Sequence, residues 1–432
     1  MTMAKGKKPM PLYAKIFIAL FSGIVFGYIL NFQGGVDNAF INDKILPFLQ
    51  FLGDLFIRLI KMVVVPLVFF SIIDAALSLG DIKKLRSVGV KTIVWFLVTG
   101  MIAAGIGLVF VNLIQPGRGL QLGDAVAEVQ VKELPGIYET ILNLFPENPF
   151  AALTSGDMMP IIVFALFVGF AIIAIGDSAK PLADVISNLS QAMFKIIDIV
   201  VRIIPIGVFG LMSVTMAKYG VAIFGPVMKF IVTDYLTAIT VSVVVYSLLL
   251  RFIGKVNPIL FWRKAFDSWI VAFSTCTSSA ALPISMDIAP NRMGAPKDIS
   301  SFVLPLGCTA QMNGTCGYFA VVILFCAQLY GVNLSLQQQF LLCVQATFLS
   351  VGCAATPQIG LVISLTLMTQ MGLPLEGYAL VAGIYRIVDQ IHTATNSVGD
   401  LVATVCISET EGELDHEIFN NKALIKKSQV LS

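Results

Sequence analysis

Asp389, His392, Thr393, Asn396 and Asp400 stand three or four residues apart in LVAGIYRIVDQIHTATNSVGDLVATV (380–405). That spacing lines them along one stripe of a helix. Ionisable groups inside so apolar a run are costly at membrane depth and mark function. Two carboxylates, an amide and an imidazole belong on a cavity that holds cations or a zwitterion. Asp389 suits an ammonium group, Asn396 a carboxylate, and Asp400 a desolvated cation. Alkali cations need several oxygen ligands, and Gly307, Thr309 and Gln311 offer carbonyl and amide oxygens. The competing reading is a polar stripe that glues helices together. A Ser278–His392–Asp389 triad is disfavoured. No G-x-S-x-G motif is present, and two neighbours on one helix make a poor base and orienter. The chain does not read as an enzyme.

The elements that hold these residues must lie in a bilayer. The 432 residues are 57% hydrophobic and 12% charged, about half the ~25% charge of a soluble domain. Mean hydropathy is +0.88. A soluble globule could not bury this much apolar surface, and a net charge of +2 leaves no footprint for nucleic acid. At ~20 residues per span, the length suits about eight spans and their loops. Apolar stretches run over 12–31, 46–79, 88–115, 150–175, 187–217 and 221–250. Basic clusters at Lys5, Lys7 and Lys8, at Lys83, Lys84 and Arg86, at Arg251, Lys255, Arg263 and Lys264, and at Lys422, Lys426 and Lys427 all fall on one side when spans alternate. By the positive-inside rule that side, with both termini, is cytoplasmic. The acidic loop 116–147 falls outside. The basic N-terminus precedes a retained first span, because no small-x-small cleavage site follows it. The second stretch is long enough to need a tilt or an interfacial end, and its Asp54 and Arg58 are one turn apart and can pair. The seven cysteines lack zinc-site spacing and read as small packing residues.

After residue 255 the apolar stretches are broken. IVAFSTCTSSAALPISM (270–286) and ATFLSVGCAATPQIGLVIS (346–364) each run apolar, then through a small and hydroxylated tip, then Pro, then apolar again. Backbone at membrane depth leaves helical geometry only where it lines a cavity, so each reads as a re-entrant hairpin. Each is followed by a polar-interrupted span, SFVLPLGCTAQMNGTCGYFAVVILF (301–325) and the 380–405 stretch. Paired interrupted units of this kind suggest inverted repeats, and they point to a transporter's midplane site.

The motifs TSSAALP (277–283), LPLG-x-T-x-QMNGT (304–315), SVGCAATPQIG (350–360) and D-x-x-HT-x-x-N-x-x-GD (389–400), in that order, make the chain resemble the glutamate transporter family, the dicarboxylate/amino-acid:cation symporters. The resemblance covers essentially the whole chain. It implies an all-α polytopic membrane protein with eight transmembrane helices plus two re-entrant helical hairpins, working as an elevator in a homotrimer in the cell membrane. It divides the chain into scaffold at 1–86 and 118–219, transport domain at 87–117 and 220–416, and a cytoplasmic tail at 417–432. It implies an amino-acid substrate and a monovalent cation, Na+ or H+, as coupling ion, with no tightly bound cofactor. By position, Asp389 is then the ammonium ligand. Asn396 and the first tip (Thr277, Ser278, Ser279) receive the α-carboxylate. Thr393 bonds the substrate backbone, and Thr315 senses its side chain. One sodium site falls on Gly307, Gln311, Asn396 and Asp400. A second takes carbonyls near Thr309, Ser350, Val351 and Cys353. At the second tip, Thr356 and Gln358 are further candidate substrate contacts.

Two departures matter. Acidic-substrate members carry an arginine where this chain has His392, and imidazole cannot reproduce a planar charged fork. In an apolar site it stays largely uncharged. The expectation is a neutral amino acid. The competing reading is an acidic amino acid or dicarboxylate met by Arg386 or by protonated His392. Secondly, the family's Asn-Met-Asp-Gly-Thr is Gln311, Met312, Asn313, Gly314 and Thr315 here, and the third-span ligands of the deep third sodium site are Phe96, Thr99 and Gly100. Oxygen ligands and a charge are lost, so that site is expected to be absent or very weak.

Overall fold

The computed structural model describes residues 12–78, 86–119, 142, 145–156, 158–351, 359–375 and 377–425. Among them the chain is helical, with no strand. In order the helices are α1 (Leu12–Phe32), α2 (Leu46–Ser78), α3 (Arg86–Ile114), α4 (Pro149–Ser155), α5 (Met158–Ile175), α6 (Lys180–Val201), α7 (Ile204–Tyr219) and α8 (Phe224–Ile239). A π-helical segment, Thr240–Val245, joins α8 to α9 (Tyr246–Phe252). Then follow α10 (Pro258–Thr275), α11 (Ser278–Met293), α12 (Lys297–Ala310), α13 (Asn313–Leu329), α14 (Leu336–Val351), α15 (Ile359–Gln370), α16 (Tyr378–Glu411) and α17 (His416–Asn420). Five stretches of the described residues are long and apolar enough to cross a membrane, among them Ser87–Ile114, Phe224–Phe252 and Lys297–Leu329.

Two local outcomes differ from the sequence expectation. The stretch 187–217 is divided, because the helix breaks at Arg202–Ile203. Pro205, in the first turn of α7, has no N–H to carry a hydrogen bond back into α6. Asp54 accepts from Gln50 Nε2 at 2.9 Å, one turn back on the same face. The acidic loop over 120–141 and the basic residues Lys5, Lys7, Lys8, Lys83, Lys84, Lys426 and Lys427 lie outside the described residues.

The helices pack in two groups. α1, α2, α5, α6 and α7 pack on one another, with α1 and α2 both against α7. The other group is built on α16, which touches α8, α10, α11, α12 and α13, while α3 lies against α13, α14 and α8. α13 is buried along nearly its whole length. By contrast α1 leaves Phe21, Val25 and Phe32 exposed, as expected of a surface that meets lipid or another subunit rather than water.

One end of the second group is tied together by charge. Lys91 of α3 meets Glu411 at the end of α16 at 2.7 Å and donates to the Thr410 carbonyl at 3.1 Å. Hydrogen bonds from Lys91 and Ser87 hold the Glu411 carboxyl below its usual pKa. Glu409 takes Lys255 at 3.1 Å and His416 at 2.8 Å. Lys264, fully buried in α10, donates to the carbonyls of Arg292 (2.6 Å), Ile418 (3.2 Å) and Phe419 (2.6 Å). Its ammonium therefore joins the carbonyl ends of α11 and α17, where backbone carbonyls need partners beyond the helix.

Candidate functional site

The site forms where two hairpin arms and two helical segments converge on the middle of α16. α10 ends at Thr275, and Cys276 takes a left-handed conformation (φ 53°). The chain reverses there and α11 starts at Ser278, with Thr277 as its N-cap residue. The first-turn N–H groups of α11 make this tip the positive end of a helix, which suits an anion. Ser278 is buried and Ser279 is exposed.

The 301–325 stretch is broken as its polar interruption implied. α12 stops at Ala310, Gln311 and Met312 leave helical geometry (ψ 90° and 53°), and α13 restarts at Asn313. The carbonyl end of one half-helix and the N–H end of the other meet here, a negative and a positive pole side by side. Gly314 N–H donates to Asn396 Oδ1 at 2.7 Å. Asn396 Nδ2 lies 3.2 Å from both Thr315 Oγ1 and Met312 Sδ.

All five polar residues of the stripe are buried: Asp389 is 7% exposed, Thr393 6%, Asp400 4%, Asn396 3% and His392 1%. Asp389 Oδ1 accepts from Tyr385 Oη and Thr393 Oγ1, each at a long 3.4 Å. Arg386 reaches the first tip, with Nη2 donating to the Thr275 carbonyl at 3.1 Å. A Cβ on Gly360, near the start of α15, would strike the Tyr385 hydroxyl and approach the Thr315 methyl, so this arm of the second hairpin lies directly against the site. The tip itself, with Cys353, Thr356 and Gln358, lies outside the described residues, as does the Val351 side chain.

Towards α12 the polar atoms change character. Gln311 is 1% exposed, and neither Oε1 nor Nε2 has a hydrogen-bond partner; Asp400 Oδ1 has none either. Gly307 has no room for a side chain, since a Cβ there would strike the Asp400 carboxylate. Buried unpaired polar atoms cost about 1–3 kcal/mol each, more when charged. A carboxylate and an amide oxygen left bare beside carbonyls are the donor set of a desolvated alkali cation. The chemistry fits the cation site expected on Gly307, Gln311, Asn396 and Asp400. Of the second set, Ser350 is buried with Oγ donating to the Thr347 carbonyl at 2.7 Å. The Thr309 side chain is exposed, and its hydroxyl donates to the Leu306 carbonyl at 3.0 Å.

The third set is filled by its own hydrogen bonds. Asn313 Oδ1 accepts from Thr99 at 3.2 Å, and its Nδ2 donates to Tyr246 Oη at 3.0 Å, which donates on to the Thr395 carbonyl at 3.1 Å. Phe96 is buried apolar, and Gly100 fronts the Thr347 methyl and the Cys316 sulfur. The six described cysteines are all buried and unpaired.

One functional candidate went unread in the sequence. Asp234 of α8 is 1% exposed and lies 2.6 Å from His392 Nε2 through Oδ2. His392 therefore does not sit in an apolar surround. Its partner was hidden in 221–250, read as an ordinary span. The signal was available, because Asp234 is that stretch's single acid.

The sequence pattern of the sodium:dicarboxylate symporter family matches residues 12–410. A proton/sodium-glutamate symport protein of Geobacillus stearothermophilus is 36% identical over 414 residues, 93% of this chain and 95% of the relative. A proton/glutamate-aspartate symporter of Escherichia coli K12 is 33% identical over 96% of each chain. A C4-dicarboxylate transport protein of Azorhizobium caulinodans is 32% identical over 95% of this chain and 92% of its own.

Proposed function

The chain belongs to the sodium:dicarboxylate symporter family, and from that premise we propose that it is a cation-coupled symporter of a neutral amino acid, working by an elevator movement. That it is a multi-pass membrane transporter and not an enzyme follows from the family. In this reading Asp389 binds the substrate ammonium. Asn396 and the N–H groups at the first tip bind its α-carboxylate, Thr393 its backbone, and Thr315 and His392 face its side chain. Gln311, Asp400, Asn396 and the Gly307 carbonyl hold the coupling sodium. The proposal takes α3 and α8–α16 as the moving unit and α1, α2 and α5–α7 as the fixed, trimer-forming one. The two packing groups support that division.

The observation that carries the neutral substrate is the His392–Asp234 pair. Whatever positive charge His392 bears is already matched by a carboxylate 2.6 Å away. The side-chain end of the pocket is then neutral or negative, and a second carboxylate there would be buried without a counter-charge, which costs several kcal/mol. The second reading, an acidic substrate, is favoured by the relatives' glutamate and C4-dicarboxylate names and by Arg386 reaching the first tip.

A thermal-shift panel of amino acids and C4-dicarboxylates, with and without sodium, separates the two, because a ligand stabilises the folded state by mass action. Neutral amino acids are expected to give the largest shifts, and only with sodium. Strong stabilisation by aspartate or succinate alone refutes the neutral reading. His392→Arg should move the ranking towards acidic ligands by about tenfold or more, since a bidentate Arg–carboxylate contact replaces a site that lacks one. An unchanged ranking would show that residue 392 does not read the side chain. Because Asn313 is consumed by Thr99 and Tyr246, uptake plotted against sodium concentration should give a Hill slope below three, whereas a slope near three would restore the third site.

A further inference from the structure

We infer that Asp234 and His392 together form a proton-loading site, in which one proton added at His392 Nδ1 turns that nitrogen from acceptor to donor. The inference rests on the reading that the 389–400 stripe is the substrate site.

The argument starts from the two ends of the imidazole. Nε2 lies 2.6 Å from Asp234 Oδ2. With Asp234 ionised, its carboxylate can only accept, so the hydrogen of this bond sits on Nε2. In neutral imidazole that leaves Nδ1 as a bare lone pair, and Nδ1 is buried with no hydrogen-bond partner. Asp234 Oδ1 is likewise buried without one. Without the extra proton the pair carries one net negative charge in a region where both side chains are 1% exposed. With it the pair is neutral, and the buried anion is compensated. The step is a simple protonation: a solvent hydronium ion gives its proton to the Nδ1 lone pair, an N–H bond forms there, and water is released. The Nε2–H bond to Asp234 stays in place.

The surroundings offer no nearby competitor that would pin the charge. Among the described residues, the Tyr318 ring of α13 lies 4.9 Å from the imidazole. Tyr235, beside Asp234, is occupied with the Ile387 carbonyl at 2.7 Å. Tyr385 and Asp389, on the same helix as His392, bond to each other, and Arg386 bonds to the first tip. None of these groups is bonded to Nδ1. Asp234 is therefore a positioning residue: it fixes the tautomer and supports the imidazolium, while His392 carries the proton.

The chain has only two histidines, so the site can be watched directly. Full-length protein with 15N-labelled histidine, carrying His416→Gln to leave one ring, is reconstituted in lipid, and its ring nitrogens are read by solid-state NMR at pH 6 and pH 9. The expected result is both nitrogens protonated at pH 6 and only Nε2 protonated at pH 9. In Asp234→Asn, the ring should carry one proton at both pH values, and Asp234→Glu should recover the loaded state. A ring that keeps a single proton at both pH values in the Asp234 protein overturns the inference, as does an Asp234→Asn spectrum identical to it. If Asp234→Asn does not fold, the parent titration and Asp234→Glu decide the matter. No substrate enters the measurement, so failure of the neutral amino-acid reading would show in the thermal panel and not here.

Discussion

Asp389→Ala should lower concentrative uptake by two to three orders of magnitude while leaving the protein folded. The carboxylate is 7% exposed, and the bonds that its Oδ1 accepts from Tyr385 and Thr393 are long, at 3.4 Å. In the proposed pocket it is the charge that meets the substrate ammonium. Removing one partner of a buried charge pair costs about 2–5 kcal/mol, and each 1.4 kcal/mol is tenfold in affinity. Radiolabel accumulation in vesicles, read beside a thermal melt without ligand, checks both halves. Undiminished accumulation would remove Asp389 from the site and the amino-acid reading with it.

The second large effect concerns the cation. Asp400→Asn should abolish the dependence of ligand binding on sodium, with apparent sodium affinity falling at least a hundredfold. Oxygen count alone does not hold a hard monovalent ion out of water. The carboxylate supplies the charge, and Gln311, Asn396 and the Gly307 carbonyl supply only dipoles. The same substitution relieves a buried anion whose Oδ1 lacks a partner, so without ligand the variant should melt at or above the parent temperature. A thermal shift measured over a sodium titration reads both. Retained sodium stabilisation in Asp400→Asn would exclude this cluster as the ion's site. Lost sodium response with an undiminished apo melt is the expected signature.

Much of the site was legible because intramembrane polarity is expensive. The stripe from Asp389 to Asp400, the interruption at Gln311–Met312 and the reversal at Cys276–Thr277 all announced themselves as polar or small residues in apolar surroundings, and the helices break or bury where those residues fall. Asp234 escaped notice although it obeys the same rule. It stands alone in a long apolar run, and its partner lies 158 positions later, so no local pattern joins them. The hydrogen-bonded filling of the third site was only half visible. Loss of the carboxylate at 313 could be read, but Tyr246, which takes the Asn313 amide, stands beside the leucine run 248–250, where no local pattern points to residue 313. The division of 187–217 was missed for a different reason. Hydropathy alone does not register a break at Arg202–Ile203, whereas Pro205 does.

The charge ties at one end of the second helix group have a bearing on biosynthesis. Lys91 leaves the ribosome 319 residues before its partner Thr410, which is followed directly by Glu411. Lys264 likewise waits for Ile418 and Phe419. Until residues 410–419 have been made, α3 and α10 wait with these bonds unmade. A chain cut short before its short helix α17 would forfeit the bonds of Lys264 to Ile418 and Phe419 while keeping those of Lys91 to Thr410 and Glu411.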